Sequence, residues 1–149
     1  MKTKTTIKNQ TGASAVEFAI VLPLLVLLFM GICEFGLLWY NSQVIVNSSR
    51  EGARAGIAQW KHADGSLYSD DQVRNLIDGV VQNYCSTRLV TFDTNNPPVV
   101  TSTWTSRDFG QDVTVQVTYT YHFLVPSIFH LGTKKILIGR TLMKMENII

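Results

Sequence analysis

The chain has two cysteines in 149 residues, Cys33 and Cys85. Two thiols do not make a disulfide framework. One stands at the end of an apolar run and the other far along the chain, so their Cα atoms are not expected within the ~7 Å that a bridge needs. Both are expected as free, apolar-packing thiols. Charge is scarce: 13 basic and 11 acidic side chains make up 16% of the residues. No basic patch points to nucleic acid. His62, His122 and His130 lack metal-ligand spacing, and His122 continues the polar side of a strand-like run. G-x-S-x-G, H-E-x-x-H and a phosphate-cradling glycine loop are missing too. Asp64, Ser66 and Asp70 superficially resemble a calcium loop, but the glycine and final glutamate of that motif are absent. A solvated turn is expected there. Nothing calls for a catalytic residue, a metal or a cofactor, and a non-enzymatic role is expected.

Charge is missing altogether from Phe18 to Cys33, sixteen residues without a polar side chain. Extended back to Ala13 the run has twenty-one residues, broken only by Ser14 and Glu17. An α-helix needs about 20 residues to cross a hydrocarbon core of about 30 Å. Lys2, Lys4 and Lys8 precede the run. Positive flanks stay cytoplasmic, so the rest of the chain is expected outside, with Trp39 and Tyr40 at the level of an aromatic belt. An ordinary secretory signal has a shorter apolar region and an A-x-A-like cleavage site, and Ile32 before Cys33 argues against lipidation. Glu17 and Glu34 are seventeen residues apart, about 26 Å along a helix, which puts one carboxylate near each face of a membrane. A carboxylate inside an apolar segment is costly and usually functional.

The lysines, then Gly12, Ala13-Ser14-Ala15-Val16-Glu17-Phe18 and the apolar run resemble a class III signal of the type IV pilin superfamily. More closely, residues 12–36 resemble the start of TadE-like pseudopilins of tight adherence (Flp) pilus systems. Ser49–Arg54, SREGAR, adds to the likeness, which fades through the middle and returns faintly in Thr141–Glu146. The resemblance implies that a prepilin peptidase cuts between Gly12 and Ala13. It implies that Glu17, then fifth in the mature chain, pairs with the new α-amino group of a neighbouring subunit. It also implies local melting at Pro23. The implied partners are the peptidase, other pilins or pseudopilins, the inner-membrane tight adherence machinery and membrane lipid. The implied place is the bacterial inner membrane, with the N-terminus cytoplasmic and passage into the pilus open. An uncleaved single-pass anchor displaying a periplasmic binding domain is the alternative. After cleavage ten basic and eleven acidic side chains remain.

The expected fold is α+β. A leader covers residues 1–12 and a transmembrane segment 13–39. Residues 40–60 continue the helix outside, and a TadE-like α+β domain follows over 61–149. The first helix is expected to reach Ala58, forty-six residues or about 69 Å, with a kink at Pro23. Ile45, Ser49, Ala53 and Gly56 share one of its faces. Glu51 and Arg54 can pair across one turn. Glycines 31, 36, 52 and 56 are points of softness or close packing. A second helix is expected over Asp71–Leu89, capped by Ser69 or Asp70, with a stripe of Val73, Leu76, Ile77, Val80, Val81 and Tyr84. Val99–Trp104, Asp112–His122 and Lys134–Met145 read as strands, the first two a hairpin around a turn at Ser106–Gly110. Gly139 reads as a bulge. Phe123–Leu131 is an apolar excursion broken by Pro126. The sheet is expected to lie on the upper part of the first helix.

Overall fold

A computed structural model describes residues 10–58, 62, 64–92, 95–124 and 134–145. The leader lysines, His130, Glu146 and the segment 125–131 around Pro126 lie outside them. The order is α1 (Gln10–Ile57), α2 (Asp70–Arg88), β1 (Val99–Trp104), β2 (Asp112–His122) and β3 (Lys134–Lys144). The architecture is α+β: a long apolar N-terminal helix, one further helix and a three-stranded antiparallel sheet in the order β1-β2-β3.

Helix α2 starts where its cap says it should. The Ser69 hydroxyl accepts from the Gln72 N–H, and the Gln72 side chain accepts in return from the Ser69 N–H at 2.8 Å. This reciprocal box satisfies two backbone donors that a helix start leaves open. Asp70 and Asp71 in the first turn and Arg88 in the last complement the helix dipole. Val73, Ile77, Val81 and Cys85 form the buried line, each one turn above the last. Leu76, Val80 and Tyr84, expected in the same stripe, are half-buried at its edge. Cys85 takes the place at the top of the stripe.

Strand β2 is the middle of the sheet, and its alternation is complete. Val113, Val115, Val117, Tyr119 and Tyr121 are buried against the helices, while Thr114, Gln116, Thr118 and Thr120 turn the other way. Each buried valine contributes about 1.5–3 kcal/mol of apolar transfer. The β1–β2 turn closes through Gly110, whose φ of 80° favours glycine. The helices share one face of the sheet. Gly52 and Gly56 of α1 let Val81 and Ile77 of α2 and Val115 and Val113 of β2 come close on two sides.

Gly139 is not a bulge. The β2–β3 register runs one-to-one through Val117↔Gly139 without an inserted residue, whereas a bulge sets two residues against one. The glycine is there because β3 crosses the backbone of α1. A Cβ at residue 139 would stand 2.5 Å from the Ile45 carbonyl oxygen and 2.9 Å from the Val46 Cα. Two residues on, the Thr141 hydroxyl meets the Ser49 hydroxyl at 2.7 Å. The expected face of α1, Ile45, Ser49, Ala53 and Gly56, is therefore the one that the sheet and α2 cover.

Candidate processing and assembly site

The two halves of α1 have opposite surroundings. Every residue from Gly12 to Cys33 is exposed; burial begins at Glu34 and becomes regular from Asn41. The exposed part is twenty-two residues, about 33 Å of helix. It carries Phe18, Ile20, Leu24, Leu25, Leu28 and Phe29 in the open. Far smaller apolar patches already mark interaction or membrane surfaces. This helix is long and apolar enough to cross a membrane and fits membrane anchoring.

The residues singled out for processing and assembly all lie on this bare section. Gly12 is in the first turn, with open space where a Cβ would be. Ala13 and Glu17 are exposed one turn apart, a spacing that puts them on the same side of the helix. Among the described residues Glu17 has no hydrogen-bond or ion-pair partner. The helix continues through Pro23, which removes the backbone bond to the carbonyl of residue 19.

The junction between bare helix and domain is more specific than its sequence suggests. Glu34 is 6% exposed, and its carboxylate accepts a 2.5 Å hydrogen bond from the Leu124 N–H just past β2. Tyr121 packs edge-on against Phe123, with ring centroids 5.4 Å apart. Its hydroxyl is buried and has no hydrogen-bond partner among the described residues. Burial pushes the Tyr121 phenol up from its ordinary pKa, and the charges of Glu34 and Tyr119 add to the effect. Two turns above Glu34, the fully buried Asn41 side chain donates to the Val90 carbonyl at 2.7 Å and accepts from the Val90 N–H at 3.0 Å. Neither the Glu34 nor the Asn41 contact was legible from local pattern. Their partners stand 90 and 49 residues away.

The remaining polar groups are held by local structure. Asp64 accepts from both the N–H and the hydroxyl of Ser66, at 2.9 and 2.6 Å. Those bonds hold its carboxyl below the usual range. His62 packs beside the Tyr68 ring at 4.5 Å, and His122 is exposed at the end of β2. Arg54 faces Glu51 at 3.7 Å on the solvent side of α1. Cys33 is exposed and Cys85 buried, both unbridged. Burial pushes the Cys85 thiol up, with a smaller opposing effect of a hydrogen bond to Ser48. Among the described residues no three His, Cys, Asp or Glu side chains are placed to hold a metal.

A family model described as TadE-like protein matches residues 12–54. The match begins at the glycine that opens the bare helix and ends on the domain-covered part of α1. No curated protein and no solved structure matches the chain.

Proposed function

We propose that this chain, TadE-like over residues 12–54, is a pseudopilin or minor pilin of a tight adherence pilus machine. A prepilin peptidase cuts it between Gly12 and Ala13, and the product acts in pilus initiation or assembly at the inner membrane. The observation that carries this reading is the coincidence of the family match with a helix bare on every side from residue 12 to residue 33. The α+β domain stands outside the membrane and has a structural rather than catalytic role.

The chemistry of the N-terminus supports the sequence of events. Gly12 lies in the first turn of α1, where backbone N–H groups have no partner within the helix. Glycine also costs a helix about 1 kcal/mol relative to alanine. Opening the turn for a peptidase is therefore cheap. Cleavage frees the ammonium of Ala13 beside an apolar helix. Before assembly, lipid surrounds the span and headgroup water reaches the Glu17 carboxylate. During assembly the helix moves among other pilin helices, where a carboxylate is tolerated only with a partner. The Ala13 ammonium of an adjacent subunit is that partner, and the pair selects one register between neighbours. Pro23 supplies a place where the helix bends or opens as it leaves the bilayer.

The test combines intact mass with Glu17→Ala. Protein extracted from membranes should begin at Ala13. Glu17→Ala should be inserted and cut normally but should yield few or no pili at matched protein level. Breaking a buried ion pair costs about 3–5 kcal/mol, enough to abolish a marginal docking step. Normal piliation in that strain would refute the pairing. A second reading, an uncleaved anchor, draws on the unbroken course of α1 through Gly12 from Gln10. A chain that keeps Met1 in cells with active peptidase would establish it instead.

A further inference from the structure

We propose that the end of the domain bearing Lys134, Lys135 and Leu124 rests on the anionic headgroup layer of the bilayer that α1 enters. The inference builds on the membrane-anchored reading above and adds a lipid contact made by the domain itself.

Two independent routes put these residues at the outer end of the span. The first is hydrogen bonding. Glu34, the first buried residue of α1 from Gly12 onward, accepts from the Leu124 N–H. Leu124 follows β2 by two residues, and the end of β2 pairs His122 with Lys134 and Tyr121 with Lys135. The start of β3 is thereby held near residue 34 of the helix. The second route is the climb of β3 along α1. Gly139 crosses Ile45 and Val46, and Thr141 meets Ser49, so strand and helix rise together. Lys134 precedes Gly139 by five residues, about 17 Å at 3.4 Å per residue. That drop equals about eleven helical residues, which is the level of residue 35. The bare section below it spans about 33 Å, close to the ~30 Å of a hydrocarbon core. The level of residue 35 is therefore the headgroup level.

The chemistry there suits lipid. Both lysines are exposed, and no described acidic side chain forms an ion pair with either. At the opposite end of the sheet Lys144 is paired with Asp112 at 3.3 Å, and Arg107 with Asp70 at 3.4 Å. The cations at the far end of the sheet are thus paired within the protein, whereas Lys134 and Lys135, at the end that faces the membrane, have no described acidic partner. Leu124 is 40% exposed beside them, and Trp39 and Tyr40 are exposed on α1 just above. Aromatic side chains and lysines are the usual tenants of this layer, and anionic headgroups attract lysines at the surface.

The full chain, with Cys33→Ser and one probe cysteine, is reconstituted in phosphatidylcholine vesicles with or without phosphatidylglycerol. Leu124→Cys reports the proposed contact and Asp108→Cys the far end. Each carries a fluorophore that nitroxide-headgroup lipid quenches. Quenching at residue 124 should be at least twofold stronger with phosphatidylglycerol, fall in 0.5 M salt and be lost in K134E/K135E. K134Q/K135Q, which keeps the size without adding repulsion, should lie between. Residue 108 should respond to none of these. Resistance to alkaline extraction scores insertion in the same vesicles. A chain that resists extraction, with quenching at residue 124 indifferent to lipid charge and to both variants, overturns the lipid contact and leaves the anchor intact. A chain that is extracted overturns the anchor, and this contact with it.

Discussion

Gly139→Ala tests how the domain is fastened to α1. The added Cβ would stand 2.5 Å from the Ile45 oxygen and 2.8 Å from the Ile45 carbonyl carbon. Both are backbone atoms of a 48-residue helix, and no side-chain rotation relieves the clash. Strand and helix must part by at least about 0.5 Å, and overpacking of this kind costs about 1–3 kcal/mol. Parting also stretches the 2.7 Å Ser49–Thr141 bond two residues away, a bond of about 1 kcal/mol net. The loss should therefore approach 3 kcal/mol, a fall in melting temperature on the order of 10 °C for a domain of this size. The assay is thermal or urea unfolding of the full chain in detergent, followed by near-ultraviolet circular dichroism. Gly79→Ala is the control. It sits in α2 with open space around its Cα, and there alanine should stabilise by about 0.5–1 kcal/mol. A Gly139→Ala protein as stable as wild type would refute the close crossing and revive a bulge.

Three further outcomes are expected. Asn41→Ala removes both part-buried bonds to Val90, each worth about 0.5–1.5 kcal/mol net, so the urea midpoint should fall by the equivalent of about 1–3 kcal/mol; a change below about 0.5 would refute the clamp. In native protein without lipid a maleimide should modify Cys33 and spare Cys85, as mass spectrometry of the two peptides would show. Because burial raises the Cys85 thiol, the folded state holds that proton more tightly than the unfolded state. The resulting stability is complete below the ordinary thiol range of about 8.5 and lost as pH climbs through the folded value. Cys85→Ala should flatten that decline in denaturation midpoint, and an unchanged slope would count against the assignment.

Some of this molecule is written in local pattern. The ends of β1 and β2 were readable because alternation needs only neighbouring residues: valine and tyrosine on one side of β2, threonine and glutamine on the other. Helix α2 announced itself through a cap at Ser69 or Asp70 and the helical spacing of Val73, Ile77 and Val81, while the answering Gln72 side chain came only with the structure. The bare span was readable because a run of twenty-one residues broken only by Ser14 and Glu17 matches the length of a bilayer crossing, a property of composition alone. What depended on distant partners was not readable. Gly139 has the same local signature as a bulge glycine, and only the passage of α1 behind it separates the two. Glu34 has the signature of a carboxylate in headgroups, yet it is buried and receives a backbone N–H from Leu124, 90 residues along the chain. Asn41 gave no signal at all, being one polar residue on a helix whose polar and apolar sides change meaning where the domain begins.

The side-by-side rise of β3 and α1 has a mechanical consequence. A tensile load on the span, directed along the helix axis, meets the domain as shear rather than as peeling. The Gly139–Ile45 crossing and the Ser49–Thr141 bond lie along one line of that load, so they share the force instead of yielding one after another. Gly52 and Gly56, seated among Val81, Ile77, Val115 and Val113, act as notches that resist axial slip, because sliding by one residue would drive a side chain into the space that each glycine leaves. Close-packed interiors transmit strain rather than absorb it. The apolar helix and the α+β domain packed on its upper half therefore respond to load as one lever, and a pull on either end is felt at the other.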